Sequence, residues 1–229
     1  MKYAIFGDIH GNLEALTAVI EDARHQGCQT YLCLGDIVGF YANPQECVDT
    51  VESLCSATIK GDADERASDD SPIEELNPKA AKVLQWTRSN LSSASKTWLR
   101  KLPFTSQVAG FTLVHATLDF PSMWQYVMNK QDAMASMELQ KTSLCFYGHT
   151  HMPRIYVKDF HLVRTEEPDL TLDPHSKYFV NVGSVGMPRD GDQRACYATF
   201  DQDRSRISIR RVDYDFGLAQ QKVKDAGYL

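Results

Sequence analysis

The chain has 229 residues, 43% of them hydrophobic and 24% charged, with a formal net charge of −6. That length holds one large α/β domain or two small ones, and the composition is that of an ordinary soluble globular protein. No apolar run approaches the roughly 18 residues of a membrane span, and the acidic balance excludes broad nucleic-acid affinity through a basic surface.

Met1-Lys2 leads straight into an apolar strand, Lys2 to Gly7, so no signal peptide is expected. Asn12 to Gln26 reads as a helix, because Leu13, Leu16, Val19 and Ile20 fall at helical spacing and Gly27 stops it. A second apolar strand, Tyr31 to Leu34, precedes a helix that Asn43-Pro44 starts and that carries Cys47, Val48, Val51 and Leu54. Ala57 to Lys60 is a third strand. This β-α-β-α-β opening predicts parallel strands with right-handed crossovers. Asp62 to Asn77 is acidic and polar and reads as a loop. Helices are expected at Pro78 to Asn90 and Ser93 to Lys101, with Trp86 and Trp98 in the core beside the sheet. Residues 104–115 read as a hairpin turning at Ala109-Gly110. A helix over Lys130 to Gln140 leads to a strand at Leu144 to Tyr147. Strands follow at Arg154 to Val163, Tyr178 to Val182, Cys196 to Asp201 and Arg206 to Val212, and Phe216 to Ala226 is a closing helix. There are no internal repeats, and one two-sheet domain over residues 1–229, flanked by helices, fits this order. The six cysteines lack C-x-x-C pairing, and Cys33 and Cys145 sit inside apolar strands as buried thiols. A reducing, cytoplasmic location is expected.

Four of these strands end on metal-type residues. Asp8 and His10 follow the first, Asp36 the second, His115 the third apolar strand of this kind, Phe111 to Val114, and His149 and His151 the fourth. Open α/β sheets place their sites at the carboxyl ends of strands, and imidazoles and carboxylates are the ligands divalent transition metals prefer. Residues i and i+2 of an extended chain point to one side, so Asp8 and His10 are expected to meet one ion. His149 and His151 repeat the spacing and are expected to supply one ligand to each of two ions. Asp36 has two oxygens with which to bridge them. Glycines 7, 35 and 148 permit sharp turns at the strand ends. Any one pair alone reads equally well as a surface turn with an incidental histidine.

In this order the motifs resemble those of the calcineurin-like metallophosphoesterases: Asp8-Ile9-His10, Gly35-Asp36-Ile37-Val38-Gly39, Gly61-Asp62-Ala63-Asp64, His115 and Gly148-His149-Thr150-His151. Asn181-Val182-Gly183-Ser184-Val185-Gly186 resembles the family's terminal N-P-G-S segment, and the size is similar to that of the small bacterial and archaeal phosphodiesterase branch. The resemblance implies a four-layer αββα sandwich of two mixed sheets and two divalent ions. One ion would take Asp8, His10, Asp36 and His151, the other Asp36, Asp62, His115 and His149. It further implies hydrolysis by in-line attack of a hydroxide bridging ions about 3.5–4 Å apart. Manganese is the first expectation, with iron, zinc, nickel or cobalt also suited to this donor set.

One motif departs from the family pattern. Position 62 carries Asp where the family usually has Asn, and Ala63 stands where it usually has His. Ala63 cannot transfer a proton, so the leaving group is protonated by another group or by solvent, or leaves without protonation. Asp8, Asp36, Asp62 and a bridging hydroxide cancel the charge of two divalent ions, whereas Asn at position 62 would leave one positive unit. A monoester dianion meets more repulsion there than a diester monoanion, so a phosphodiesterase acting on small or nucleotide-like phosphate esters is expected. Competing readings are a phosphomonoesterase, including protein or dinucleotide-polyphosphate phosphatases, and a catalytically weak protein-binding scaffold. Asp36 and Asp64 are the catalytic candidates, Asp64 orienting a neighbouring ligand or ending its turn. Asn12 either positions a substrate oxygen or caps its helix. Arg189 is a candidate for pairing with phosphate, and Trp124 and Tyr126 for stacking on a base or aryl group or for packing as a lid. His25, His161 and His175 have no ligand partners at useful spacing and are expected at the surface.

Overall fold

Side chains that alternate between two faces of each strand set this architecture. The structure, a computed structural model, describes residues 1–69, 73, 77–159, 162–166 and 168–228. In chain order the elements are β1 (Lys2–Phe6), α1 (Leu13–His25), β2 (Thr30–Cys33), α2 (Pro44–Leu54), β3 (Ala57–Thr58), α3 (Asp62–Ser68), α4 (Pro78–Ser89), α5 (Ser93–Lys101), β4 (Thr105–Val108), β5 (Phe111–Val114), a 3-10 turn (Pro121–Met123), α6 (Lys130–Leu139), β6 (Leu144–Tyr147), β7 (Arg154–Asp159), β8 (Leu162–Glu166), β9 (Asp169–Thr171), β10 (Lys177–Asn181), β11 (Ala195–Asp201), β12 (Arg206–Val212) and α7 (Phe216–Ala226). They form two six-stranded sheets, ordered β3-β2-β1-β11-β12-β9 and β4-β5-β6-β10-β7-β8. Both are mixed. β1, β2 and β3 run parallel while β1 and β11 are antiparallel. β5, β6 and β10 run parallel while β10 and β7 are antiparallel.

Tyr3, Ile5, Leu32 and Leu34 from one sheet meet Phe111, Leu113, Phe146, Ile155 and Val180 from the other in the central core. The alternate residues Ala4, Phe6 and Cys33 face outward and pack under Leu16, Val19, Val48 and Val51 of α1 and α2. Val114, Cys145, Tyr147 and Phe179 do the same against Ala133 and Met137 of α6. Strands buried on both faces read as continuous apolar runs, and each buried Val, Leu, Ile or Phe contributes about 1.5–3 kcal/mol. The architecture is the expected αββα sandwich. No helix among the described residues is long and apolar enough to cross a membrane.

Three expectations need correction, and one strand was not expected. Asp62–Ser68 is a helix, not a loop. Asp64 Oδ2 accepts the Gly61 amide at 3.1 Å, and Asp62, Asp64 and Glu65 place negative charge in the first turn, where the helix dipole favours it. The remainder of that expected loop includes residues 70–72 and 74–76, outside the described residues. The single strand expected from Arg154 to Val163 is instead two strands among the described residues, Arg154–Asp159 and Leu162–Glu166, and residues 160 and 161 lie outside the described residues. On either side the chain forms two antiparallel strands, with Asp159 opposite Leu162. The short β9, which extends one sheet by pairing with β12, carries no periodic signal of its own. Trp86 and Trp98 are half-buried at the rim, Trp86 stacked on Tyr228 at 4.3 Å and Trp98 against the outer core.

One carboxylate pins α1 to the first sheet. Asp22 accepts the Tyr197 hydroxyl at 2.6 Å and two bonds from Arg210, at 2.6 and 2.9 Å. Burial raises the Asp22 pKa, but Arg210 and Tyr197 outweigh it and hold the carboxyl below its usual range. A depressed folded-state pKa gives stability that is present above the unfolded value of about 4 and lost as pH falls through the folded one. Asp22→Asn is therefore expected to cost about 1–2 kcal/mol at neutral pH and almost nothing near pH 2. Urea unfolding at both pH values checks this, and an equal loss at both would assign the effect to packing rather than charge.

Candidate metal centre

The carboxyl ends of four strands, two from each sheet, bring the polar residues to one place. β1 leads into Asp8 and His10, β2 into Asp36, β5 into His115, and β6 into His149 and His151, while Asp62 opens α3. All are buried except Asp62, which is half-buried. Their ligand-type atoms form two groups: Asp8, His10, Asp36 and His151, and Asp36, Asp62, His115 and His149. Within each group the atoms lie within 4.8 Å of one another, and Asp36 belongs to both. Asp36 Oδ2 is 3.6 Å from His10 Nε2 and 3.5 Å from His115 Nε2. His149 Nδ1 is 3.3 Å from Asp62 Oδ1, and His151 Nε2 is 3.4 Å from Asp8 Oδ1.

The pairs do not converge through extended backbone, as the i, i+2 spacing suggested. Asp8, His10, Asp36, His149 and His151 all have φ between 50° and 66°. Non-glycine residues adopt this left-handed region at a cost of about 1–3 kcal/mol each unless their surroundings impose it. Here neighbouring strand ends impose it: Asp8 N donates to Gly35 O at 3.0 Å, and Ile9 N and His10 N donate to Asp36 O at 2.8 and 2.9 Å. Two glycines matter for clearance rather than for turning. A Cβ on Gly148 would sit 2.5 Å from Asp8 Oδ2, and one on Gly61 would overlap Asp36 Oδ1.

Every imidazole is tethered through one nitrogen to a backbone carbonyl. His10 Nδ1 meets Val38 O at 3.3 Å, His115 Nδ1 meets Leu34 O at 2.7 Å, and His151 Nδ1 meets Met187 O at 2.6 Å. His149 is reversed, with Nε2 on Trp124 O at 2.8 Å and Nδ1 turned inward. A carbonyl only accepts, so the tethered nitrogen carries the hydrogen and, in the neutral ring, the other presents its lone pair to the cluster. Among the described residues His115 Nε2 is buried with no hydrogen-bond partner within ordinary distance, and it stands 3.9, 3.5 and 3.8 Å from the carboxylates of Asp8, Asp36 and Asp62. A buried ring nitrogen facing three carboxylates marks a place where a cation would be satisfied, so the donor set fits divalent metal.

The ionisable groups show the same demand. Burial lowers the His115 pKa, but Asp36, Asp8 and Asp62 outweigh it and push it up to about 10. Burial raises Asp8 to about 7 against the pull of His115. Burial also raises Asp36, yet His115 and His10 hold it well below the usual carboxylate range. Burial and His10 drive His151 down to about 2.

Asp64 does not face the cluster. Its buried carboxylate accepts Ile37 N at 2.8 Å and Gly61 N at 3.1 Å, clamping the turn that carries Asp36 to the turn that carries Asp62. Asn12 is fully buried and caps α1 through Ala15 N at 3.1 Å, while its Nδ2 donates to Gly186 O at 3.1 Å. Both ends of its amide are engaged in these contacts. Tyr126 is exposed and stacks on His149 at 4.2 Å. Trp124 packs at the rim against Phe104 and His115 and donates to Glu65 at 3.0 Å. Arg189 is exposed, and its charge lowers the pKa of both His10 and His151. His25 and His175 are exposed, and His161 lies outside the described residues.

Two neighbours of the cluster were not foreseen. Phe40 lies edge-on to His10 at 5.0 Å, and Arg66 Nη1 lies 3.3 Å from Asp62 Oδ2. Phe40 carries no sequence signal, whereas Arg66 stands at i+4 from Asp62, a spacing that pairs the two once Asp62–Ser68 is helical.

Residues 1–205 match the calcineurin-like phosphoesterase superfamily domain. The chain belongs to this superfamily. It is 34% identical over 224 residues to an uncharacterized protein of Methanocaldococcus jannaschii, covering 96% of this chain and 90% of that one. It is also 34% identical to a metallophosphoesterase from Sphaerobacter thermophilus of known structure, with a TM-score of 0.88 over 99% of this chain and 94% of the other. A hypothetical protein from Pyrococcus horikoshii OT3, at 20% identity and a TM-score of 0.76, shares the fold over 100% of this chain and 94% of its own. Membership in the calcineurin-like phosphoesterases and the Asp/His cluster support metal-dependent phosphoester hydrolysis.

In this phosphoesterase Gly148→Ala is expected to fold but to displace the Asp8 carboxylate. Calorimetric titration with manganese should show affinity reduced by about tenfold or more, the scale of losses when a ligand's surroundings are disturbed. Wild-type affinity in the variant would remove Asp8 from the ligand set.

Proposed function

We propose that the chain is a phosphodiesterase that hydrolyses small or nucleotide-like phosphate esters with two divalent transition-metal ions. The observation that carries this reading is the pair of four-residue donor groups sharing Asp36, with all four imidazoles tethered outward to carbonyls. Asp8, His10, Asp36 and His151 would hold one ion, and Asp36, Asp62, His115 and His149 the other. When bound, such ions supply Lewis acidity to phosphoryl oxygens and lower the pKa of nearby water. Four imidazoles with carboxylates favour manganese, iron, zinc, nickel or cobalt over magnesium or calcium, and manganese is the first choice. We read residues 1–229 as one domain working in the cytoplasm, in keeping with the six free cysteines.

The remaining residues have distinct tasks. Asp64 holds Asp36 and Asp62 in register through the two turns it clamps. Arg189 brings a guanidinium to the rim beside His10 and His151, where it can pair with a phosphoryl oxygen. Tyr126 offers an exposed ring above His149 to a flat substrate group. Asp62 adds a carboxylate that disfavours a monoester dianion, and Arg66, more than half exposed and screened by solvent, offsets only part of that charge. Ala63 has no proton to give, which supports diesters with good leaving groups over monoesters of poor ones.

Asp36→Ala is expected to lose both ions, because its carboxylate is common to the two groups. Metal analysis of the purified variant tests this, and two ions retained with wild-type affinity would overturn the assignment. With manganese supplied, hydrolysis of diesters across a series of leaving groups should depend steeply on leaving-group pKa, nitrophenyl esters reacting well and alkyl esters poorly. A flat series would mean that another side chain supplies the proton.

A further inference from the structure

A cavity of about 90 Å³ lies between the turn after β2, α3 and α4, lined by Phe40, Ala63, Ala67, Ala80, Val83 and Thr87. It adjoins the metal-ligand cluster at three points. The Phe40 ring meets His10 at 5.0 Å, the Ala63 amide donates to Asp36 Oδ1 at 2.8 Å, and Arg66, also on the cavity wall, pairs with Asp62. Because Ala63 is part of the wall, a larger side chain at that position would occupy part of the space. The lining is apolar apart from Arg66 and Thr87. Among the described residues Thr87 Oγ1 is buried with no hydrogen-bond partner, which leaves one polar atom of this wall unsatisfied by them. Phe40 is held at φ 58°, a conformation that costs a bulky residue, with its carbonyl accepting the Tyr228 hydroxyl at 2.7 Å.

Resting on the phosphoesterase reading above, we propose that this cavity is the subsite for one apolar ester arm of the substrate, a single ring or a compact branched alkyl group, with the phosphate at the metal-ligand cluster. Adjacency to the cluster decides the occupant: Phe40, Ala63 and Arg66 of the cavity wall touch His10, Asp36 and Asp62, so a group bonded to a phosphate at the cluster is the ligand placed nearest to the cavity, and Arg66 stands beside the anionic end. Size decides the class. Enclosed apolar cavities of about 150 Å³ take benzene, so this smaller one takes one ring with an edge at its mouth and rejects a purine. Phe40, Ala80 and Val83 set that limit.

The test uses the zinc-loaded protein, whose diamagnetic ions leave neighbouring methyl resonances sharp, and two monoanions whose P–C arm is not cleaved, methyl methylphosphonate and methyl phenylphosphonate. Calorimetry should show the phenyl compound bound at least about tenfold more tightly, the gain expected for burying a ring. The Ala63, Ala80 and Val83 methyl resonances should shift with the phenyl compound and not with the methyl one. Ala80→Leu and Val83→Phe fill the cavity and should abolish the preference while keeping metal content and methyl methylphosphonate affinity. Equal affinity for the two compounds, undisturbed methyl resonances in the wild type, or a preference retained in both variants would overturn the subsite and leave the phosphodiesterase reading standing. Failure of both compounds to bind the metal-loaded protein would overturn that reading as well.

Discussion

Three carboxylates share one small, water-poor space, and the rest of the molecule is arranged around that fact. Asp8 and Asp36 are buried, Asp62 stands at the edge, and all three lie within 4 Å of the His115 ring nitrogen. Two like charges at about 4 Å repel by about 4 kcal/mol even at an effective dielectric of 20. Protein groups alone answer with protons, pushing His115 up to about 10 and Asp8 to about 7. A divalent cation answers better, since it offers twice the charge and takes the imidazole lone pairs that a proton would use. Binding must then release protons, which ties metal affinity to pH and to the integrity of the fold.

Holding such groups together calls for backbone that does not yield. Five of the seven cluster residues sit in the left-handed region, and each stands at a strand end fastened by backbone bonds to its neighbours. The segment after β10 completes the frame. Asn181 donates to Gly148 O at 2.8 Å and Ser184 donates to Asp8 O at 2.8 Å, so one stretch of chain secures a turn from each sheet. The strain is affordable because the central layer beneath is dense with Tyr3, Ile5, Leu34, Phe111 and Phe146, all buried. Rigid scaffold and strained rim are two parts of one device.

The sequence carried the fold and the residues of the Asp/His cluster through a simple physical signal, apolar runs ending on Asp and His. A strand buried on both faces has to be apolar, and a polar residue at its end is conspicuous for that reason. What it did not carry was conformation and shared geometry. The left-handed φ of Asp8 or His151 is fixed by partners far along the chain, and no local pattern announces it. The tethering carbonyls of Leu34, Val38, Trp124 and Met187 are backbone atoms, so any side chain could sit at those positions. Asp62–Ser68 misled for a different reason. Its acidic composition resembles a loop, yet the same charges suit the first turn of a helix, and contacts with α4 and α5 settle the matter. Asn12 was legible as a cap and as a polar group near the site, and its bond to Gly186, far along the chain, was not.

That short helix is also where most functions of the site meet. Within five residues, Asp62 reaches the cluster, the Ala63 amide steadies Asp36, Asp64 clamps two turns, and Arg66 pairs back onto Asp62. Placing so many roles on one turn has a consequence for how position 63 can vary. Its backbone amide is committed to Asp36, which any residue except proline can provide. Its side chain is free of that duty and faces the cavity wall instead. Variation at position 63 therefore leaves the geometry of the Asp/His cluster intact while altering the wall of the cavity beside it. A proton donor there and an apolar wall there are alternatives on the same scaffold, and this chain carries the wall.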